Sequence, residues 1–167
     1  MSNSKVMKNE PLKRNENLVK LSRDHHAGLL FCWKIRQGVK YHIETSRMIK
    51  YVKYFWDHHF ASHFKEEEEF LFAPFRDEEV QKALDDHQKI KTFVEKVGVS
   101  GMESEDDILL ELADTIDDHI RYEERVLFPH LQERLSEQQL ELIGEQIVDE
   151  PLTDNFEDEF WKKSSSL

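Results

Sequence analysis

Two ten-residue stretches of the chain share one pattern of residues that could bind a metal. Residues 63–72 and 119–128 both have the form H-x-x-x-E-E-x-x-L-F. On an α-helix, a His and a Glu four positions apart lie about 40° apart around the axis and about 6 Å apart along it. The two side chains can therefore point at one object. An imidazole together with a carboxylate suits a transition metal.

Each stretch is preceded by a His that directly follows an Asp. The pair Asp24-His25 lies ahead of the first stretch, and the pair Asp86-His87 lies ahead of the second. Apolar residues follow His25 and His87 at the same helical offsets, whereas one of these offsets from His26 falls on a charged residue. We therefore prefer His25 as the inward-facing residue. His26 stays an alternative, because one helical position is a rotation of only about 100°.

The elements that must position these residues are predicted to be helices. The sequence predicts helices from Ser22 as an N-cap to about residue 38, over about 45–72, over about 77–97, and from after Ser104 to about 135. Pro129 should kink the last of these helices or split off its last turn. Ser136-x-x-Gln139 predicts a capping box for a short fifth helix that ends near residue 149. Four long helices with short connections favour an all-α fold, an up-down-up-down four-helix bundle with a short extra C-terminal helix.

This reading divides the chain into three parts. Residues 1–21 form an N-terminal arm, residues 22–149 form the bundle with its short fifth helix, and residues 150–167 form an acidic and then serine-rich tail. We expect the arm to cover the open lower end of the bundle. We expect the tail to be loosely held, although Phe156, Phe160 and Trp161 could dock one turn of it.

The helical register places the candidate residues at one level. His63 lies nine residues before the end of the second predicted helix, and His87 lies ten residues after the start of the third. At the rise of an α-helix, each is about 14–15 Å from the same end of the bundle.

The candidate metal ligands are then four imidazoles and two carboxylates from four helices: His25, His63, Glu67, His87, His119 and Glu123. This set is too large for a closed tetrahedral zinc site. It suits two metals, each with two His, bridged by both carboxylates. Mixed nitrogen and oxygen ligation favours two iron ions, with manganese or zinc as alternatives. Glu68 and Glu124 lie about 100° from the ligand face and could contact helix neighbours or accept hydrogen bonds from the ligand imidazoles. Asp24 suits the positive end of the first helix.

The motifs resemble those of the hemerythrin-like domain, the HHE cation-binding family, across roughly residues 12–135. The resemblance is carried by the segment Leu-Ser-Arg-Asp-His-His at residues 21–26, by the two ten-residue stretches and by Asp86-His87. It implies a four-helix bundle around a non-haem di-iron centre. Members of the family bind or sense oxygen, handle iron, or respond to oxidative and nitrosative stress.

The sequence departs from the oxygen-carrying hemerythrins on two helices. Lys91 stands where they have a second His on the third helix, and Glu123 follows His119 by four residues where they have an Asp at five. One imidazole is therefore missing, which argues against reversible oxygen carriage. Water, His26 or His59 could complete the metal's shell, since His59 lies four residues before His63 and could face the same cavity.

The composition excludes some partners. The 167 residues carry 23 basic and 35 acidic side chains, for a net charge of −12. This balance argues against nucleic acid or an anionic membrane as the main partner. A single cysteine, Cys32, and the lack of a signal-like or membrane-spanning apolar run predict a cytoplasmic protein.

We therefore predict a cytoplasmic, non-haem di-iron protein that binds or senses oxygen or a related small oxidant, with a small diatomic or peroxide ligand. The alternative is a di-iron oxidase or peroxidase, or a stress-response protein that handles nitric oxide or iron; an under-coordinated metal favours it. The sequence shows no pocket for an organic substrate and no acid–base pair, so enzymatic activity stays open. A metal-free bundle would bury six polar groups, at a cost of several kcal/mol unless they pair with each other.

Overall fold

Five helices make up the regular structure of a computed structural model that describes residues 13–99, 101 and 103–163. Helix α1 spans Val19–Lys40. Helix α2 covers residues 45–72, α3 spans Glu78–Lys96, α4 covers residues 105–134, and α5 spans Glu137–Gln146. No strand occurs within these ranges. The predicted all-helical bundle with a short extra C-terminal helix is confirmed. In the described ranges, no helix has both the length and the apolar character needed to cross a bilayer.

The first helix begins earlier than predicted. A 3₁₀ turn, Glu16–Leu18, is capped by Asn15 and leads directly into α1 at Val19, so Ser22 lies inside the helix. The reason is apolar burial, because Leu18 and Leu21 are fully enclosed. Ahead of the turn, the Arg14 guanidinium lies 2.9 Å from a Glu124 carboxylate oxygen. Residues 13–18 thus cover the lower end of the bundle, while residues 1–12 of the predicted arm lie outside the described part.

Helices α2 and α4 each contain π-helical turns. In α2, the α-helical segments Thr45–Phe55 and Ala61–Glu66 alternate with the π-helical segments Trp56–Phe60 and Glu67–Phe72. In α4, the α-helical segments Glu105–Tyr122 and Phe128–Arg134 flank the π-helical segment Glu123–Leu127. The predicted irregularity near Pro129 is thus a widened turn ahead of the proline. Both Glu67 and Glu123 begin such a turn, and π-helical turns occur frequently at functional sites.

The other predicted helix ends agree closely with the structure. Asp77 caps α3 by accepting a hydrogen bond from the Val80 N–H. The capping box of Ser136 and Gln139 is confirmed, with both of its hydrogen bonds present. Helix α5 ends at Gln146 rather than near residue 149.

The core consists of two apolar clusters with a polar layer between them. The upper cluster contains Phe31, Ile90 and Ile116, and the lower cluster contains Leu21 and both Leu-Phe pairs of the sequence repeat, 71–72 and 127–128. On every long helix, the predicted ligands lie between a residue of the upper cluster and a residue of the lower one. The polar side chains are therefore held in place from above and below.

The segment after α5, residues 147–163, is called the C-terminal strap here. The strap is held more firmly than its composition suggests. Asp154 lies 2.7 Å from the ammonium of the buried Lys34 and accepts a hydrogen bond of 2.5 Å from the Tyr51 hydroxyl. Phe160 is buried in the upper cluster, and the Lys34 ammonium lies 3.9 Å from the centre of the Trp161 ring. Burial on its own would raise the pKa of Asp154, but the hydrogen bonds from Lys34 and Tyr51 lower it.

Replacing this partly buried anion should loosen the strap. We expect Asp154→Asn to lower the free energy of unfolding by about 2 kcal/mol, because it leaves the Lys34 ammonium without its charged partner. Since the pKa of Asp154 is lowered by folding, the difference from the unmodified protein should shrink below about pH 4. Urea titrations at two pH values measure both effects.

Asp158→Asn is the matched control on the same strap. Asp158 pairs with Arg47 at the surface, where both side chains are more than a third exposed, so this change should cost much less than Asp154→Asn. Equal losses in the two variants would contradict the assigned role of Asp154.

Candidate metal centre

The polar layer brings together all six residues of the predicted ligand set. His25 and His63 form one group with Glu67 and Glu123, and His87 and His119 form a second group with the same two carboxylates. Within each group, the potential ligand atoms lie within 4.8 Å of one another. The two groups therefore share their carboxylates and differ in their imidazoles.

Glu67 presents one oxygen to each group. Its Oε1 lies 2.8 Å from His63 Nε2 and 3.3 Å from His25 Nε2. Its Oε2 lies 3.2 Å from His87 Nε2, on the other side of the carboxylate. This orientation is what a carboxylate bridging two ions requires.

Glu123 repeats the arrangement from the opposite helix. Its Oε2 lies 2.9 Å from His25 Nε2, while its Oε1 lies 3.2 Å from His119 Nε2 and 3.7 Å from His87 Nε2. The four imidazoles all turn Nε2 toward the carboxylates, and His87 Nε2 and His119 Nε2 are 3.1 Å apart.

The chemistry of the cluster fits a pair of cations. Glu67 and Glu123 are 0% exposed. His63 Nε2, Glu67 Oε2 and both carboxylate oxygens of Glu123 are buried without a hydrogen-bond partner, although they lie close to one another. Buried polar atoms are rarely left unpaired, since this costs free energy. Atoms that converge without pairing are the arrangement expected of ligands around a cation.

A second layer of carboxylates orients the imidazoles of the first group. His63 Nδ1 donates to Asp24 Oδ2 at 3.0 Å, and His25 Nδ1 donates to Glu124 Oε1 at 2.6 Å. A proton held on Nδ1 leaves the Nε2 lone pair free for a metal.

The second group has the same support. His87 Nδ1 donates to Glu68 Oε1 at 2.8 Å, and His119 Nδ1 lies 3.3 Å from Asp86 Oδ2. In both halves of the chain, the Asp of the Asp-His pair supports the His of the next helix. The predicted outer contacts of Glu68 and Glu124 are present. The roles of Asp24 and Asp86 were missed, although their repeated place before a His was the available signal.

The local charges oppose the effect of burial. Burial alone would lower the pKa of His25 and His87, but the neighbouring carboxylates raise both well above the ordinary value. Burial alone would raise the pKa of Glu123, and the imidazoles lower it well below the ordinary value. Burial also acts to raise the pKa of Glu124, yet the hydrogen bond from His25 lowers it to about 2. The carboxylates are thus ionised and ready to bind a cation.

The two alternative ligands, His26 and His59, lie outside the two groups. His26 is exposed, one position past His25 on α1, and Lys91 is exposed on α3. His59 belongs to neither group, but it lines a cavity beside the centre together with His25 and His63. A partly exposed cluster of Asp77, Glu79 and His130 has a structural explanation, because Asp77 caps α3 and pairs with His130.

The fold and the two shared-carboxylate groups define a class of protein, a helical bundle with an interior cation-binding layer. The family described as the hemerythrin HHE cation binding domain matches residues 17–131. The chain belongs to this family. The matched range contains all six candidate ligands and the four outer carboxylates. No curated protein and no solved structure matches the chain.

Metal binding should displace protons from this cluster. Burial alone would lower the pKa of all four imidazoles, but the neighbouring carboxylates raise it above the ordinary value, so protons compete with a metal for this cluster. We expect ferrous iron to release protons on binding, and its affinity to fall as the pH is lowered. Anaerobic calorimetry in buffers of different ionisation enthalpy measures the release. A binding heat that does not depend on the buffer would contradict it.

Proposed function

We propose that the chain holds two iron ions between Glu67 and Glu123 and binds or senses oxygen or a related small oxidant there. The observation that carries this proposal is the sharing of the two carboxylates, each with one oxygen toward His25 and His63 and the other toward His87 and His119. A single ion would not explain two equivalent groups.

The donor set supports iron. Each ion would be held by two imidazole nitrogens and two carboxylate oxygens, a mixture that suits iron and, as alternatives, manganese or zinc. Four protein ligands leave further positions free on a metal that accepts six. Neither His26 nor Lys91 lies where it could fill one, so a small molecule could bind directly.

The protein itself would position the metal ligands and keep water away from the centre. The four outer carboxylates fix the imidazole rings, and Phe64 lies flat on His87 with ring centres 3.9 Å apart. Phe128 stacks on His25 at 5.3 Å. An iron pair in this setting would supply electrons for a small oxidant, and that redox chemistry belongs to the metal.

Turnover of peroxide or nitric oxide is the second candidate. It is favoured by the same open positions, since direct access to a metal permits chemistry as well as binding. The cavity beside the centre is about 10 Å³, room for roughly one water-sized molecule. This size favours a diatomic molecule or peroxide over an organic substrate in either case. Catalysed consumption of peroxide or nitric oxide by the iron-loaded protein would favour this candidate.

Removing a ligand should remove metal. We expect His63→Ala, His119→Ala and Glu123→Ala each to lose most of the bound iron, because each change deletes one donor and leaves buried charges unpaired. Elemental analysis of the purified variants measures the content, and circular dichroism checks that each is folded. His58→Ala is the control, since His58 is exposed and lies against Tyr54. Equal iron content in all four variants would refute the proposed ligands.

Oxygen should change the electronic spectrum of the loaded protein. We expect about two irons per chain, as two equivalent four-donor groups require, and a visible absorption band that develops when the reduced protein meets air. Elemental analysis and anaerobic spectroscopy measure these. Zinc as the only metal in the purified protein, or an absorption spectrum that does not change on exposure to air, would contradict the redox part of the proposal.

A further inference from the structure

The cavity beside the metal centre breaks the near two-fold symmetry of the site. Three of the candidate ligands, His25, His63 and His119, contribute to its wall, together with mostly aromatic and aliphatic side chains such as Phe60 and Ile116. His87 does not line it, because Phe64 stacks flat against that ring. A small molecule would therefore meet the centre from the side of α1, α2 and α4, away from α3.

Apart from the candidate metal ligands, one polar group in this wall has no partner among the described residues. His59 Nε2 is buried and makes no hydrogen bond. The ring packs against Phe55, with centres 4.7 Å apart. Burial lowers the pKa of His59, so the ring is neutral at pH 7 and can offer one donor and one acceptor. The corresponding position in the second repeat, four residues before His119, is Thr115.

The C-terminal strap closes the same side. Leu152 lines the cavity and also lines two grooves on the outer surface, and His59 and Asp24 are likewise shared between the cavity and a groove. The strap is fixed next to Leu152 by Asp154 on Lys34, and the Asn155 N–H donates to the Tyr54 hydroxyl at 3.0 Å. Leu152 thus lies between solvent and the centre.

We propose that His59 hydrogen-bonds to the small ligand of the metal pair within this cavity, and that Leu152 controls the entry of that ligand. The inference rests on the proposed function, because it needs the metals in place. The cavity has room for a very small molecule only, which excludes an organic substrate. Outside the candidate metal ligands, His59 is the polar group of the wall that is free to bond to such a molecule.

Nitric oxide is the probe for the hydrogen bond, bound anaerobically to the reduced, iron-loaded protein. His59→Ala should raise the dissociation rate constant about 3- to 10-fold, the effect of losing one hydrogen bond. It should also shift the N–O stretching frequency in the infrared spectrum. His59→Gln carries an amide near the position of Nε2 and should recover most of both effects. His58→Ala, the exposed neighbour, should match the unmodified protein.

The entry role is tested by the association rate constant. Leu152→Ala should raise it several-fold and leave the N–O stretching frequency unchanged, because it widens the path and spares the polar contact. Leu142→Ala is the control, since Leu142 on α5 is 55% exposed and lines neither the cavity nor the two grooves. Stopped-flow mixing with nitric oxide measures these rates after the iron content of each variant has been established.

The outcomes separate the two proposals. An unmodified protein that binds no iron would refute the proposed function. Iron-loaded His59→Ala with unchanged dissociation rate and stretching frequency would overturn the assignment of His59 alone. Loss of iron from His59→Ala would overturn it too, because His59 would then hold the metal rather than the ligand. An unchanged association rate in Leu152→Ala would refute the entry path.

Discussion

Two fully buried carboxylates are the constraint on which the rest of this structure depends. Glu67 and Glu123 lie in the middle of a small helical bundle, where an isolated negative charge is very costly. Four imidazoles surround them, and four outer carboxylates hold those imidazoles in turn. Negative carboxylates at the centre are therefore surrounded by imidazoles, and the imidazoles by further carboxylates. Each of these layers stabilises the layer inside it. This explains why so many polar side chains lie at one level of the bundle.

The apolar clusters above and below give that layer its fixed geometry. Each long helix contributes core residues on both sides of its ligands, so a shift along the axis would expose apolar surface at one end. The π-helical turns that begin at Glu67 and Glu123 change the direction in which the side chains of the following Leu-Phe pair point. The duplicated sequence thus encodes a duplicated local structure as well as a duplicated set of donors.

Much of this was predictable from residue spacing. The repeat predicts which six side chains converge, and helical periodicity predicts the fold class and most helix ends. The predicted start of α1 was wrong, because the prediction gave more weight to Ser22 as an N-cap than to the burial of the apolar Leu18 and Leu21. Asp24 and Asp86 each support a His on the next helix. Such contacts between helices cannot be read from the sequence, which shows only that each Asp precedes a His. The docking of the strap depends on a part-buried pair, Lys34 with Asp154, whose members are 120 residues apart.

The strap has a consequence for how the protein is assembled. A divalent cation in water carries a shell of solvent molecules, far bulkier than the gap left beneath Leu152. Under the proposed function, an ion that enters on this side would have to arrive while the C-terminal strap is undocked, either as the newly made polypeptide matures or during a later opening. Metal exchange by this route would then depend on the anchoring of Asp154 and Phe160, far along the sequence from any donor atom.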